Sequence, residues 1–481
     1  MTIGKFLKRW ANAGTKTAPS SAKQDTGWGD NEQVPYEWFN WLLDRVEAKI
    51  DKLIEERLAS YYMNATSPID MLTTGLWDDS WAQGMDTANI ISSGSTKEFY
   101  DLGVYFDLDY NSYLIAFDNS LLKFEIWDPR TLGLVDTSDA LTDDLPSGGG
   151  ETWEAESMCV DGSHIYATFQ DTNASPEVYR VQAWEIGTWN VKTGWPSTGT
   201  SLPGSGTSFG SPARNSKIVN ADVDKLATAN TWITVSASSS TAVSIINKSD
   251  GTIAGSGAGD CPTGDSAQIF GLVSDGTNII FSTLGSSNAY LCSTTIADPT
   301  VGCGGTNYPR TLATSGVTNH LVNCGPEMIV GSYNDGSGST AILLRTHSFR
   351  NATFSEVERG QNSAATPVVG DKLVLNTPFG LIFDGINIWT LGKINNGSTF
   401  SQDVVVRTDL AKLSLASTNQ TNQLGDISSV FLICPRFAST IDARSRIVFD
   451  GRDLWITMDS DAGAPDRSGV IRRLPIGLLR S

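Results

Sequence analysis

Three tryptophans, Trp184, Trp189 and Trp195, lie close together in the sequence, just before a stretch rich in Gly, Ser and Pro at 198–212. Indole rings that are exposed on a protein surface can stack on sugar rings through apolar burial. We therefore take these three side chains as candidate ligand contacts, with a glycan or a protein as the ligand. The alternative is that each ring packs inside the fold.

Residues suited to covalent or metal chemistry form no recognisable motif. The three His residues, at 164, 320 and 347, are far apart in the sequence, and none belongs to a nucleophile or zinc motif. The Cys residues show no Cys-x-x-Cys spacing, and a bridge between Cys292 and Cys303 is not favoured. The Gly-rich stretches lack the Lys of a phosphate-binding loop. The sequence thus predicts no catalytic residue, no cofactor and no metal ion.

Acidic residues leave one enzymatic alternative open. Hydrolysis of a polysaccharide requires two carboxylates close together, and the chain has 53 acids from which such a pair could be drawn. The acid-rich segment containing Asp136, Asp139, Asp143 and Asp144 is expected to form solvated loops rather than an acid–base pair. The acidic net charge of −19 argues against a nucleic-acid partner.

A repeated pattern predicts the elements that hold these residues. Apolar runs flank Asp-Gly pairs at Asp161-Gly162, Asp275-Gly276, Asp384-Gly385 and Asp450-Gly451. An Asp-Gly pair between two apolar runs is typical of a β-hairpin. Weaker copies near 109, 228 and 324 bring the number of units to seven, at spacings of roughly 50–65 residues, which suit four-stranded propeller blades.

The predicted fold is mainly β: an N-terminal extended arm and one long helix, followed by a seven-bladed β-propeller at 100–481. Six or eight blades, or unrelated hairpins in a β-sandwich, are the alternatives. We expect the strand near Glu98–Phe106 to pair with the last strands, around Gly469–Leu474, so that the sheet edges are hidden. No apolar run is long enough to span a bilayer, so no membrane insertion is expected.

The N-terminal residues differ from this body. We divide them into a basic arm at 1–35, a helix at 36–64 and a linker at 65–99. Residues 1–24 contain no acid and carry five bases, which leaves about −24 on the rest of the chain: Lys5, Lys8, Arg9, Lys16 and Lys23. A basic peptide on an acidic body can dock into a negative groove of a partner while the body is repelled from it.

The predicted helix carries a narrow apolar seam. Pro35 fits its first turn, and the helix would be roughly 40 Å long at 1.5 Å per residue. Leu43, Val46, Ile50 and Leu53 follow at spacings of three and four residues, with charged residues on both sides. This pattern predicts a coiled-coil homo-oligomer, with a homotrimer favoured. The alternative is a helix that packs on its own propeller or on a neighbouring protein.

The start of the chain resembles the N-terminal virion-docking segment of many bacteriophage tail fibre and tail-associated proteins. In those proteins a Gly-Trp pair precedes a Pro and a Phe-Asn-aromatic-Leu-Leu run that opens a helix; here these are Gly27-Trp28, Pro35 and Phe39-Asn40-Trp41-Leu42-Leu43. The resemblance covers about 35 residues. It implies that the chain docks onto other tail proteins through Trp28, Pro35, Phe39, Asn40 and Trp41. The family usually has Lys-Pro-Pro where this chain has Gln33-Val34-Pro35.

These features together predict a structural virion protein of a phage tail, made in the host cytoplasm. It would be a tail fibre or tail-tip component that presents its propeller for host attachment and receptor binding. A purely structural hub or baseplate component and a capsule-degrading tail enzyme are the alternatives. The irregular segments 136–155, 196–213 and 458–468 are the predicted receptor-contact loops.

The seam gives a first prediction. Replacing Val46 and Ile50 by Asp places charges between the helices, so the full-length protein should sediment as a smaller species than the unaltered chain. Asp at Ala48 and Ala59 adds the same charge outside the seam and should leave the oligomer unchanged. A monomeric unaltered protein in sedimentation would contradict the prediction.

Overall fold

The computed structural model describes the following residues: 90–92, 99–107, 109, 111–146, 150–174, 178–202, 216–230, 243–261, 268–284, 289–302, 310–311, 317–325, 329–334, 343–347, 357–359, 375–395, 401–411, 428–432, 439–440, 445–460 and 470–476. The predicted arm and helix lie outside them, as do all the docking and seam residues: Trp28, Pro35, Phe39, Asn40, Trp41, Leu43, Val46, Ile50 and Leu53. The chain divides into two compact units, Met1–Gly75 with Pro475–Ser481, and Leu76–Leu474. In the described ranges, no helix is long and apolar enough to cross a membrane.

The second unit is mainly β, and the described residues contain 29 strands in seven antiparallel sheets. The first strand, β1, is Ile90–Ser92. Sheet one contains β2 Phe99–Phe106, β3 Ser112–Asp118, β4 Lys123–Asp128 and β5 Gly133–Thr137. Sheet two contains β6 Trp153–Asp161, β7 His164–Asp171, β8 Val178–Glu185 and β9 Thr200–Ser201, and a turn of 3-10 helix, Leu141–Asp144, precedes it. Sheet three contains β10 Ser216–Asn220, β11 Lys225–Asn230, β12 Val243–Asn247 and β13 Ile253–Gly257.

The next three sheets repeat this arrangement, with four strands paired in chain order. Sheet four contains β14 Gln268–Ser274, β15 Asn278–Leu284, β16 Ala289–Thr295 and β17 Arg310–Thr311. Sheet five contains β18 Val317–Asn323, β19 Ile329–Asn334, β20 Leu343–His347 and β21 Val357–Arg359. Sheet six contains β22 Leu375–Phe383, β23 Asn387–Asn395, β24 Ser401–Asp409 and β25 Ser428–Leu432.

Sheet seven joins the two ends of the body. It contains β26 Ser439–Thr440, β27 Ile447–Phe449, β28 Asp453–Ser460 and β29 Val470–Pro475. The early strand β1 completes it, because Ile90 pairs with Arg472 and Ser92 with Val470. The expected closing strand near 98–106 is therefore corrected: Phe99–Phe106 is β2, whose partner is β3. Closure instead uses Ile90–Ser92, within the predicted linker.

The first strands of sheets one to six and β27 of sheet seven contact one another in a closed order. Each of β2, β6, β10, β14, β18, β22 and β27 touches the next, and β27 touches β2. Four-stranded meanders whose first strands meet around a common axis are the construction of a β-propeller. The body of this protein is a β-propeller.

The Asp-Gly pairs lie at the turns between the first and second strands, as the sequence predicts. Gly162, Gly276, Gly385 and Gly451 all have positive φ, between 55° and 92°, which glycine adopts without steric cost. The third unit differs from the prediction near 228: its turn is Ala221–Asp224, between β10 and β11. This turn contains no Gly, which is why the sequence pattern misplaced it.

Two of these turns anchor a buried tryptophan. Asp450 Oδ1 accepts hydrogen bonds from the backbone N–H groups of Arg452 and Asp453, at 2.8 and 2.7 Å, and Oδ2 accepts one from the indole of Trp455 at 2.8 Å. Asp384 binds its own turn and Trp389 in the same way. Both indole rings are fully buried. One carboxylate thus fixes the turn and orients a large core side chain.

The core lies between consecutive sheets, because most strands bury side chains on both faces. In β7, Ile165 and Phe169 pack with sheet one, while the intervening Tyr166 packs with sheet three. The same pattern joins sheet three to sheet four and sheet seven to sheet one. Alternation along a strand therefore supplies both interfaces of a sheet, and consecutive sheets stabilise each other.

Asp450 provides a test of the turn. Asp450→Ala leaves three donors without their acceptor, two of them backbone groups in a buried turn, and should lower the free energy of unfolding by about 2–4 kcal/mol. Urea unfolding followed by circular dichroism measures the loss. Asp298 caps an exposed turn, so Asp298→Ala should change the midpoint little. Equal effects of the two substitutions would refute the anchoring role of Asp450.

Candidate functional site

The three candidate tryptophans belong to the outer half of sheet two. Trp184 lies on β8, Trp189 in the connection that follows β8, and Trp195 in the same connection, before β9. Their indole N–H groups all donate hydrogen bonds within the protein: to Asp144 Oδ2, to Asp136 Oδ2 and to the Lys248 carbonyl, each at 2.8 Å. The three rings nevertheless differ in exposure.

Two of the three rings pack the interior. Trp184 is 0% exposed and makes edge contacts with Phe124 and Phe169. Trp195 is 7% exposed and packs against Tyr166, with ring centroids 5.6 Å apart. A sugar ring could reach neither indole face unless the surrounding strands opened. The structure therefore gives Trp184 and Trp195 a packing role in place of the predicted ligand contact.

Trp189 is only partly buried. Its ring stacks on Phe124 of sheet one, with centroids 6.1 Å apart and an interplanar angle of 16°. Its indole N–H is held by Asp136 on β5. The side chain thus reaches from sheet two across to the outer strand of sheet one and lies in a fixed orientation at their junction.

The acids expected to be solvated loop residues are in part structural. Asp136 and Asp144 each accept an indole N–H, from Trp189 and Trp184 respectively. Asp139 is exposed, as expected. These two hydrogen bonds join residues 40 and 53 positions apart in the chain. No local pattern in the sequence indicates such contacts.

The backbone at Trp189 has a left-handed conformation that recurs in equivalent turns of other sheets. Trp189 has φ +60°, in the left-handed region, and its N–H bonds the Glu185 carbonyl at 2.9 Å. Leu132 and Gly251 occupy the same position in the equivalent turns of sheets one and three, with φ of 58° and 72° and the same type of bond. The left-handed conformation is therefore a requirement of this repeated turn, and it is not by itself a sign of function.

Two apolar side chains of β5 are exposed close to Asp136, the partner of the Trp189 indole. Leu134 is 46% exposed and Val135 is 55% exposed, and both come directly before Asp136 in the chain. We call Trp189, Asp136, Leu134 and Val135 the Trp189 surface. An aromatic ring next to exposed aliphatic groups and a carboxylate acceptor is suited to binding the apolar face and a hydroxyl of a sugar, or an apolar side chain of a protein.

Basic groups at the neighbouring turns are engaged within the fold. Lys248 is buried and donates to Asp161 Oδ2 at 2.7 Å and to the Asp222 carbonyl at 2.8 Å. Lys192 donates to the Lys248 carbonyl at 2.5 Å. Burial lowers the pKa of His164, and the charge of Lys192 lowers it further, so His164 is neutral near pH 7. These contacts fix sheet two to sheet three.

The predicted receptor loops are partly built into the sheets. Segment 136–155 includes the end of β5, the 3-10 turn and the buried Leu145 and Trp153. Segment 196–213 includes β9 and the buried Leu202, and 458–468 includes the end of β28. The remainders, 147–149, 203–213 and 461–468, lie outside the described residues. Receptor contact by those remainders stays a prediction.

In the part of the chain that the structure describes, no three His, Cys, Asp or Glu side chains lie together so that they could hold a metal ion. The buried carboxylates Asp384 and Asp450 are occupied by their own turns and tryptophans.

Comparisons with known proteins concern the fold only. No protein-family profile matches the chain, and no curated protein sequence matches it. Among solved structures it is similar to the β-propeller domain of Cps50 (Swd1) from Myceliophteria thermophila, with 11% identity over 80% of this chain and 99% of that one and a TM-score of 0.48. It is also similar to hydrazine synthase of Kuenenia stuttgartiensis, with 12% identity over 76% of this chain and 93% of that one and a TM-score of 0.46. For Hsv2 of Kluyveromyces lactis the identity is 11% over 79% of this chain and 98% of that one, with a TM-score of 0.38. At such low similarity, the strand pairing described above carries the assignment of the fold.

The difference in burial predicts that substitutions of Trp184 and Trp189 lower the free energy of unfolding by different amounts. Trp184→Ala should lower the free energy of unfolding by about 3–5 kcal/mol because it empties a close-packed core site. Trp189→Gly should cost much less, since the ring is partly exposed and glycine relieves the left-handed backbone. Urea unfolding of both variants measures this. If Trp189→Gly were as destabilising as Trp184→Ala, the ring would be a core element and the Trp189 surface would not be a binding surface.

Proposed function

We propose that this protein is a structural component of a bacteriophage tail, a tail fibre or tail-tip protein that carries a receptor-binding β-propeller. The observation that carries the proposal is the N-terminal sequence, in which Gly27-Trp28, Pro35 and Phe39-Asn40-Trp41 follow the docking pattern of tail proteins. The β-propeller body is compatible with this role, since loops on a rigid scaffold are a common place for binding residues. In this proposal the protein assembles into the virion tail after synthesis in the host cytoplasm.

In this proposal the propeller has seven blades. Support comes from the seven sheets of the described residues and from the closed order of contacts between their first strands. The last blade takes its outermost strand from β1, so the start and the end of the body are held together by one sheet. Such a closure suits a protein that is exposed outside a cell, because the start and the end of the body can separate only if the strand pairing in this sheet is broken.

The N-terminal residues would provide attachment and copy number. The basic arm at 1–35 docks onto an acidic surface of a neighbouring tail protein, with Trp28 as a buried anchor. The seam of Leu43, Val46, Ile50 and Leu53 joins copies into an oligomer, for which we favour a trimer. Several propellers on one tail would raise the avidity for a host surface even if each site bound weakly.

We propose binding rather than catalysis as the role of the propeller. The Trp189 surface combines a fixed indole, exposed aliphatic groups and a carboxylate, which suits a host surface glycan or protein. This part of the proposal is separate from virion attachment and can fail without it. A role as a purely structural hub component, or as a capsule-degrading enzyme, would each give a different outcome in the assays below.

Attachment is tested by incorporation into particles. A chain that lacks residues 1–35 should fold but be absent from purified phage particles, and Trp28→Ala should be incorporated at reduced copy number, because a buried Trp anchor commonly contributes several kcal/mol to an interface. Thr15→Ala within the arm is the matched control and should be incorporated normally. Truncated protein at normal copy number on particles would refute docking through the arm.

Recognition is tested with Trp189→Gly, in particles counted by electron microscopy. We expect normal particle numbers and adsorption to host cells reduced about tenfold, equivalent to about 1.4 kcal/mol, since one stacked ring is lost. Val223 is 87% exposed at a turn of sheet three, and Val223→Ser is the control. Reduced particle numbers would indicate a hub component, cleavage of purified host polysaccharide an enzyme, and unchanged adsorption would refute recognition by the Trp189 surface.

A further inference from the structure

Two cysteines from different parts of the chain meet in the core between sheets three and four. Cys261 lies in the connection that follows β13, and Cys292 lies on β16. Their Sγ atoms are 2.8 Å apart. Both side chains are buried, at 9% and 0% exposure, in the apolar cluster that joins the two sheets.

The backbone on both sides of this contact holds the sulfurs in place. The N–H of Asp260 donates to the Ser293 carbonyl at 3.2 Å, and the N–H of Ser293 donates back to Asp260 Oδ1 at 2.7 Å. These bonds join the residues that directly adjoin Cys261 and Cys292. The position of one cysteine relative to the other is thus fixed by the fold and does not depend on the sulfurs alone.

Gly259 shows how closely this connection lies against β16. Its φ is +56°, and a Cβ at this position would lie 1.9 Å from the Ser293 carbonyl oxygen. Its N–H bonds the Pro299 carbonyl at 3.0 Å. Only glycine fits such a close approach at this φ, so the sequence places a glycine where the two cysteines must be brought together.

We propose that Cys261 and Cys292 are the two halves of a disulfide that forms when the protein meets an oxidising environment. A covalent S–S bond is about 2.05 Å long, so a movement of less than 1 Å closes the observed gap of 2.8 Å. From the sequence alone, a bridge between Cys292 and Cys303 is not favoured, and no other pairing is indicated. Among the described residues, it is Cys261 that meets Cys292.

The oxidation balances with a low-molecular-weight disulfide such as oxidised glutathione. One cysteine thiolate attacks a sulfur of the oxidant, which forms a mixed disulfide and releases one glutathione thiolate. The second cysteine then attacks the protein sulfur of that mixed disulfide, which forms the Cys261–Cys292 bond and releases the second glutathione. The protein loses two electrons, the oxidant gains them, and the two thiol protons pass to the two glutathione thiolates.

Burial determines when this reaction occurs. Burial raises the pKa of the Cys292 thiol, and the neighbouring Cys261 raises it further, so little reactive thiolate is present in the folded protein. The bridge should therefore form slowly when the folded protein meets an oxidising environment, and faster when the unfolded chain is refolded in the presence of the oxidant. Once formed, it encloses β14 and β15 in a covalent loop, and closing a loop of this kind limits the unfolded chain and stabilises the native state.

Peptide mapping of the full-length protein tests the pairing. The protein is refolded once with a mixture of oxidised and reduced glutathione and once with dithiothreitol, and unmodified thiols are then alkylated in denaturant. The oxidised sample should contain four reactive thiols of the six and a peptide that joins residue 261 to residue 292. Six thiols in the oxidised sample, or a bridge from Cys292 to Cys303, would overturn the proposal.

Thermal unfolding tests the effect on stability. The oxidised protein should unfold at a temperature several degrees above the reduced protein, and Cys261→Ser should abolish this difference. Cys324→Ser leaves the pair intact and should retain it, and Cys292→Ser is a second variant for the case that Cys261→Ser fails to fold. If the Cys261→Ser or Cys292→Ser protein kept the difference, another pair of cysteines would be responsible and the assignment would be wrong.

Discussion

Pairing between β1 and β29 is the interaction on which the arrangement of the body depends. It joins Ile90–Ser92 to Val470–Arg472, residues from opposite ends of the propeller sequence. Without it, β29 would be the outermost strand of sheet seven, and no strand from the start of the body would belong to its last sheet. Because consecutive sheets share their apolar cores, a fixed last sheet also fixes sheet one through the cluster around Trp455 and Leu114.

Two kinds of repeated turn connect the strands within the sheets. A carboxylate that binds two backbone N–H groups shapes the first turn of a sheet, and at Asp384 and Asp450 the second oxygen holds a buried indole. A second repeated turn requires a left-handed residue, supplied by Leu132, Trp189 and Gly251. The turn after β8 therefore both belongs to the repeated structure of the sheets and carries Trp189, the partly exposed tryptophan of the three candidates.

The candidate site is smaller than the sequence suggests, and its position is better defined. Two of the three tryptophans are held inside the fold, and the third is fixed by Asp136 at the junction of sheets one and two. The predicted receptor contact by 203–213 lies outside the described residues and stays a prediction.

The sequence by itself determined the elements that depend on neighbouring residues. Asp-Gly pairs between apolar runs predict hairpins because a turn is set by its own few residues, and the mainly β propeller follows from their repetition. Contacts between distant residues were decided only by the tertiary structure: the closing strand at 90–92, the indole bonds to Asp136 and Asp144, and the meeting of Cys261 with Cys292. Each of these joins residues that lie at least 31 positions apart, and burial at such a contact depends on how sheets pack against each other, which no short stretch of sequence specifies.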